Sequence, residues 1–340
     1  SEETLKPNRD MEKAFTTPVS IERYPFTIGY SSPVLFMGSC FAESIGDKMC
    51  ERKFPSMVNP FGVVYNPVSV ALVLMRIMGG TPFGASELHK HNNLWFSFYH
   101  HTSFSSPDRE ECLEQINTSL AQAHAFWGKT EYLAITFGTA RVYTHNKLNR
   151  VVANCHKIPA GEFTHSLLPV DEIVTLWSDL LTEILNAKKE LRVILTVSPV
   201  RHWKDGPVGN QVSKSTLLLA VSQLVERFRE RVFYFPSYEI LMDELRDYRF
   251  YADDMIHLSS TAIDYIWNKF RSAAMDADTI KLSLDIERVM AAVNHRPLHP
   301  QSEEFANFAK HVVESMDRLK AKYPTLNFSK EISILEGHRK

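Results

Sequence analysis

The chain has 340 residues, of which 44% are hydrophobic and 23% are charged, so it has enough apolar residues to bury a sizeable core. A formal net charge of −2 provides no broad cationic field, which argues against nucleic acid or an acidic membrane as the main partner. No apolar run reaches the roughly 18 residues of a membrane span. The four cysteines lack a CxxC or framework spacing, which favours reduced thiols and a cytoplasmic location. The polar residues 1–10 do not resemble a signal peptide, although a signal removed earlier stays possible.

Short apolar runs bounded by Gly or Pro alternate with helical patterns along most of the chain. The runs that suit buried parallel strands are 33–37, 132–137, 191–197 and 232–235. Apolar residues at helical spacing follow these runs, at 41–49, 170–185, 215–228 and 261–270. Strands that alternate with helices imply crossover connections. We therefore predict an α/β fold with a doubly wound, mainly parallel sheet.

Two regions depart from the simple alternation, and they set the predicted boundaries. Residues 276–340 hold one clear amphipathic helix, at 303–319, and one strand-like run, at 332–335. We predict an N-terminal extension (1–14), a core (15–275) with an aromatic and histidine-rich insertion (60–130), and a helical C-terminal appendage (276–340).

The turn Gly38-Ser39-Cys40-Phe41 lies where the first predicted strand meets the first predicted helix. Reactive groups in parallel sheets gather at the carboxyl ends of the strands. The free amides and positive dipole end of a helix N-terminus favour negative charge, which lowers a thiol pKa and can hold an oxyanion. The same residues also suit a plain strand-to-helix turn with a buried cysteine.

Asp254-Met255-Ile256-His257 precedes a helix that begins near Ser259. An Asp three residues before a His can present both side chains on one side of a loop, where the carboxylate fixes the imidazole tautomer. The ring is then available as a general base. The alternative interpretation is a capping Asp beside a surface His.

Other polar segments allow weaker hypotheses. Residues 89–101 hold four histidines among aromatics, and they suit a pocket wall, insertion packing or, least well because the spacing is not standard, a metal site. Arg201 and His202 follow a strand end, where they suit either an anionic substrate group or a loop salt bridge. No phosphate-binding glycine loop is present, and we expect no cofactor and no metal.

The run Gly38-Ser39-Cys40-Phe41-Ala42 resembles the motif that names the GSCFA family, a bacterial group placed within the SGNH-hydrolase superfamily. The similarity covers roughly residues 15–275. The resemblance implies a flavodoxin-like three-layer sandwich and acyl-ester chemistry. Supporting stretches are VNPFGVVYNP (58–67), TFGTARVY (136–143), VVANCHKIPA (151–160), TVSPVRHWKDG (196–206) and the segment 235–257.

The resemblance also implies a catalytic triad. SGNH enzymes place Gly-Asp-Ser after the first strand, with the Ser as nucleophile, and in an ungapped match Cys40 takes the place of that Ser. Cys40 is therefore the preferred nucleophile, with Ser39 as the alternative. The final superfamily block matches Asp254 and His257 without change, so we expect the Cys40 thiol to lie about 3–4 Å from the His257 ring.

The remaining superfamily blocks concern the oxyanion. Gly62 best matches the oxyanion-hole glycine of the second block. The third block, Gly-x-Asn-Asp, reads Gly138-Thr139-Ala140-Arg141 here, so its Asn is missing. Backbone amides near Gly138 and Thr139, or the side chain of Asn154, are the candidates to replace it.

These inferences predict an acyl-ester hydrolase or acyltransferase that acts through a covalent acyl-enzyme on an acylated glycan or small ester. The competing hypothesis is a non-catalytic ligand- or glycan-binding protein that keeps the SGNH fold. The sequence carries no signal that fixes an oligomeric state.

Overall fold

The computed structural model describes residues 16–295 and 301–337. The predicted N-terminal extension lies outside these residues. The strands are β1 (Val34–Gly38), β2 (Ser56–Val58), β3 (His89–His91), β4 (Leu94–Phe96), β5 (Tyr132–Phe137), β6 (Arg141–His145), β7 (Arg150–Val152), β8 (Phe163–Leu167), β9 (Arg192–Val197) and β10 (Val232–Tyr234). The longer helices are α1 (Cys40–Glu51), α2 (Pro67–Gly79), α3 (Arg109–Lys129), α4 (Val170–Ala187) and α5 (Gly206–Arg227), followed after a short α6 (Ser237–Glu239) by α7 (Ser260–Ala274), α8 (Ala277–Asn294), α9 (Glu303–Lys322) and α10 (Ser329–Gly337).

Five parallel strands form the central sheet, in the order β10-β9-β5-β1-β2. Counted along the chain, this is the 2-1-3-4-5 order of flavodoxin-like folds. Each of the four predicted strand runs forms one of these strands, and each predicted helix of the core is present. The predicted α/β fold with a parallel sheet is confirmed.

Helices cover both faces of the sheet, because alternate strand residues are apolar on both sides. Leu35 and Met37 of β1 pack with α2, α3, α4 and α5. Val34 and Phe36 point the other way and pack with α1 and α7. Because α2 and α3 come from the segment 60–130, most of that segment belongs to the layer that covers the sheet.

Two small antiparallel sheets were not predicted. β3 and β4 form a hairpin. In the chain segment that connects β5 with α4, β6 pairs with both β7 and β8. Their strands are short and mix polar with apolar residues, so their apolar pattern is too weak to separate strand from loop.

The C-terminal helices α8, α9 and α10 form a hydrophobic cluster of their own. The strand-like run 332–335 is in fact helical, because Glu331 and Leu335 face inward one turn apart on α10. Ion pairs join this region to the end of α1: Lys53 Nζ lies 2.6 Å from Glu331, and Arg52 lies 3.0 Å from Glu287. Among the described residues, no helix combines the length and apolar character needed to cross a membrane.

Candidate functional site

A pocket of about 410 Å³ opens at the carboxyl ends of β1, β5 and β9. The chain connections leave β1 and β5 on opposite sides of the sheet, and ligands of open α/β sheets bind at such a switch point. The predicted site residues that line the pocket are Ser39, Cys40, Thr139, Asn154, Arg201, His202 and His257.

The turn after β1 requires glycine at position 38. Gly38 has φ +131°, and a Cβ there would lie 2.1 Å from the Thr136 carbonyl oxygen. Its amide donates to Asn59 Oδ1 at 2.8 Å, which ties the turn to the neighbouring loop. The close approach of β1 to β5 therefore fixes the direction in which α1 leaves the sheet.

Ser39 and Cys40 occupy different environments in this turn. Ser39 is 1% exposed, and its Oγ caps α1 by accepting from the Phe41 amide at 3.3 Å. Cys40 is the first residue of α1 and is partly exposed at the pocket. Accessibility therefore favours Cys40 over Ser39 as a nucleophile.

The thiol of Cys40 does not have the lowered pKa that a helix N-terminus alone would give it. Burial raises the pKa of Cys40, and the Glu43 carboxylate raises it further. Lys214 and the backbone amides of Cys40 and Phe41 lower the pKa but do not reverse the shift. A base must therefore take the thiol proton during an attack at neutral pH.

Asp254 and His257 form an oriented pair in the loop before α7. The His257 Nδ1 lies 2.6 Å from Asp254 Oδ2, while Oδ1 accepts the amides of Ile256 and His257 at 2.9 Å. The hydrogen bonds with His257 hold the pKa of Asp254 down, at about 2. Because an ionised carboxylate only accepts, Nδ1 carries the proton and Nε2 is free to accept one in the neutral ring.

Within the described residues, no hydrogen bond joins the Cys40 thiol to His257, although both line the pocket. The expected Cys40–His257 hydrogen bond is therefore not formed in this structure. His202 is instead the imidazole at the pocket floor, because a Cβ on Gly138 would lie 3.3 Å from His202 Nε2 and 3.2 Å from the Ser39 Cβ. Burial, with Lys214 and His257, lowers the pKa of His202 to about 4, so this ring is neutral at pH 7.

Of the predicted oxyanion amides, those of Gly62, Gly138 and Thr139 are occupied. The Gly62 amide donates to the Asn59 carbonyl at 2.7 Å, and Gly62 does not line the pocket. The amides of Gly138 and Thr139 both donate to the Tyr65 carbonyl, at 2.7 and 3.1 Å. These amides therefore cannot bind an oxyanion in this arrangement.

The predicted polar side chains beside these amides also form hydrogen bonds within the protein. Thr139 Oγ1 bonds Ser213 Oγ at 3.0 Å, and Asn154 Oδ1 accepts the His156 amide at 2.8 Å. Asn154 still lines the pocket. Its Nδ2 group is therefore the donor that the side chain can offer to an oxyanion.

Two side chains in or beneath the site were not predicted. Tyr65 lines the pocket, and burial raises its pKa to about 12, so its hydroxyl stays a hydrogen-bond donor. Lys214 is fully buried and donates to the carbonyls of Gly138 at 2.6 Å and Ser198 at 2.7 Å, which joins the ends of β5 and β9. Burial lowers the pKa of Lys214 to about 7.

A signal for Lys214 exists in the helical pattern. The buried stripe of α5 includes Leu217, Val221 and Leu224, and the position one turn before Leu217 on that stripe is Lys214. A lysine at an apolar position of a helix indicates a buried cation that has found acceptors.

The part of the outer pocket that comes from the unpredicted sheet β6-β7-β8 was also missed. Arg141 and Tyr143 project from β6 and His165 from β8. Tyr143 stacks on His165 with ring centroids 4.3 Å apart. Asp205 stands opposite, in the connection between β9 and α5.

The histidines of segment 89–101 do not wall the pocket, so that interpretation is wrong. His100 is fully buried against Phe61 at 4.2 Å, and His89 packs on Phe98 at 4.7 Å. The role of these two histidines is aromatic packing. In the described ranges 16–295 and 301–337, no group of three or more His, Cys, Asp or Glu side chains gathers to hold a metal.

Comparison with known proteins gives two family matches. Residues 33–270 match the family described as the GSCFA family, and residues 286–337 match the GSCFA domain protein, C-terminal domain. No curated protein matches the chain. The first match includes every predicted site residue.

Proposed function

Because the chain belongs to the GSCFA family, we propose that it is an SGNH-type acyl-ester hydrolase or acyltransferase with Cys40 as nucleophile. One observation carries the proposal. A partly exposed thiol at a helix N-terminus shares a pocket with an imidazole whose tautomer is set by Asp254. A nucleophile, a base and an orienting carboxylate are the parts that acyl transfer requires.

The reaction proceeds in two balanced steps. The Cys40 sulfur attacks the ester carbonyl carbon while His257 Nε2 takes the thiol proton. The C–O bond then breaks, and the alcohol leaves with that proton as a thioester forms. Water or an acceptor hydroxyl next attacks the thioester and gives its proton to His257, and the thiolate that leaves is reprotonated.

The Cys40 amide and the Tyr65 hydroxyl suit the oxyanion better than the occupied amides do. The Cys40 amide is at the first position of α1, where a helix leaves its N–H groups unpaired. The Tyr65 hydroxyl keeps its proton at neutral pH and lines the same pocket. We assign both to the developing charge, in place of the missing Asn.

Cys40 and His257 must form a hydrogen bond during the reaction. Catalytic hydrogen bonds are often long in free enzymes and tighten when substrate binds. The Asp254–His257 pair is half-exposed and lies in a loop closed by local bonds, such as the Ala252 amide to the His257 carbonyl at 2.8 Å. This loop is the part of the site that has room to move.

The direct test combines labelling with turnover. A thiol-directed probe and a serine-directed fluorophosphonate, each followed by mapping of the adduct, should mark Cys40 and not Ser39. Turnover of short acyl esters and thioesters should fall at least about 100-fold in Cys40→Ala and His257→Ala. The matched controls Cys50→Ala and His311→Ala alter exposed residues away from the pocket and should retain full turnover.

A non-catalytic binding protein is the second candidate. It is favoured by the raised pKa of the Cys40 thiol and by the absence, among the described residues, of a Cys40–His257 hydrogen bond. If no ester or thioester is turned over and neither probe labels the turn, the catalytic proposal fails and the binding function stands.

A further inference from the structure

The outer half of the pocket is a separate chemical environment from the turn that carries Cys40. It lies between the β6-β8 sheet and the connection from β9 to α5. Its polar side chains are Arg141, His165, Arg201, Lys204 and Asp205, with Tyr143 and Trp203 beside them. None of these belongs to the proposed triad.

The charges in this half do not balance. Of the described residues that line the pocket, Asp205 is the single carboxylate. Its oxygens lie 3.7 Å from Arg141 Nε and 3.8 Å from His165 Nε2, so its charge is already shared. Arg201 and Lys204 form no ion pair within the part of the chain that the structure describes.

Arg201 is the more informative of these two cations. Its Nε is buried and has no hydrogen-bond partner among the described residues. Its guanidinium lies 5.7 Å from the Trp203 ring, which limits its orientation. A desolvated N–H group without an acceptor is costly, and a carboxylate or phosphate can remove that cost through paired hydrogen bonds.

Within the described residues, the pocket lining supplies no carboxylate besides Asp205. The buried ammonium of Lys214 lies beneath the pocket floor and adds positive potential whenever it is protonated. The nearest proposed negative charge, a Cys40 thiolate, is disfavoured by burial. The balancing anion must therefore come from a ligand.

We propose that the Arg201–Lys204 half of the pocket binds an anionic group, a carboxylate or phosphate, on the substrate. This inference rests on the proposed function only in calling the ligand a substrate. It narrows the substrate class from any acyl ester to an ester that carries a second, negatively charged group. A cavity of about 410 Å³ has room for a small molecule of this kind.

The test uses alkylation of Cys40, which requires no turnover. Iodoacetate and iodoacetamide differ in charge and react with the same thiolate, so their rate ratio at Cys40 cancels the thiol pKa. N-acetylcysteine amide is the free-thiol reference. At low ionic strength the ratio of the iodoacetate rate to the iodoacetamide rate should be about tenfold higher at Cys40 than for this reference. Half-molar salt should reduce the excess.

Variants locate the effect. Arg201→Gln should lower the ratio about fivefold and Lys204→Gln about twofold, since Lys204 is more exposed to water. The control Arg246→Gln removes an exposed guanidinium outside the pocket and should leave the ratio unchanged. Protection of Cys40 from iodoacetamide by succinate or by inorganic phosphate then identifies which anionic group binds.

The outcomes are separable from those of the proposed function. A ratio equal to that of the free thiol, or one that Arg201→Gln leaves unchanged, overturns the anion site even if esters are turned over. A raised ratio that Arg201→Gln abolishes supports the anion site even if no ester is turned over. In that case the protein binds an anionic ligand without the acyl chemistry.

Discussion

The pocket floor and the loop that carries His257 are built in opposite ways. The floor joins the ends of β1, β5 and β9 through buried bonds between residues far apart in the chain, such as Lys214 to Gly138. The loop is exposed and is held by bonds between close neighbours, such as Asp254 to His257. The floor is therefore fixed by the whole fold, whereas the loop can move without disturbing it.

Gly38→Ala should have the largest effect on stability. A Cβ at this position would meet the Thr136 backbone at 2.1 Å, in a conformation that residues with side chains rarely adopt. We expect a loss of at least about 4 kcal/mol in the free energy of unfolding, measured by denaturant titration. In the control Gly128→Ala, the new methyl group meets no atom within 4 Å, and the helix should be slightly more stable. If Gly38→Ala and Gly128→Ala changed the free energy of unfolding equally, the pocket floor would not be rigid.

Lys214→Met should cause the next largest loss of stability. The change leaves the buried carbonyls of Gly138 and Ser198 without donors, while it also removes the cost of burying an ammonium. The expected net loss is about 2–3 kcal/mol. Lys147→Met is the control, because that side chain is 79% exposed. A Lys214→Met variant as stable as the wild type would mean that the two carbonyls are not held by this bond.

The same lysine predicts a pH dependence. The folded-state pKa of Lys214 is about 7, below its ordinary value of 10.5, so the unfolded chain binds more protons between these values. Stability should therefore rise with pH across this window. The test compares Cys40→Ala with Cys40→Ala/Lys214→Met, so that the thiol is absent from both. Between pH 7 and pH 9, the free energy of unfolding of Cys40→Ala should rise by about 2 kcal/mol more than that of the double variant. A constant difference would contradict the lowered pKa.

Asp254→Asn should have the smallest effect on stability. The asparagine Oδ1 can still accept the amides of Ile256 and His257, and the side chain is half-exposed. We expect the melting temperature to change by less than about 2 °C. Ester turnover should nevertheless fall about 10- to 100-fold, because the imidazole loses the carboxylate that sets its tautomer. A large loss of stability would show that this loop, like the pocket floor, is fixed by the whole fold.

The contrast also explains how far the sequence predicts the site. The strands and helices of the core follow from apolar periodicity, and the Asp254–His257 pair follows from a three-residue spacing within one turn. Lys214, Tyr65 and Arg141 enter the site through the topology of the sheet, because their partners are distant along the chain. The helical pattern marks Lys214 as buried, but local patterns do not show which distant residues these side chains contact.

The oxyanion glycine shows the same limit. Gly62 has a backbone conformation that favours glycine, with φ +80°, yet its amide donates to the Asn59 carbonyl within a local turn. A residue type in a motif predicts a conformation more reliably than it predicts which atom a backbone amide will meet. The direction of an N–H group depends on the packing of the whole loop.

Helix α1 has its two ends in different regions of the protein. It begins at Cys40 in the pocket, and the residues after its last turn, Arg52 and Lys53, bind Glu287 and Glu331 of the C-terminal helices. A twelve-residue helix is about 18 Å long and stiff over that length. Any truncation, inherited substitution or bound protein that displaces the C-terminal helices therefore acts on the element that presents the thiol, and natural variation at the two ends of α1 should be correlated.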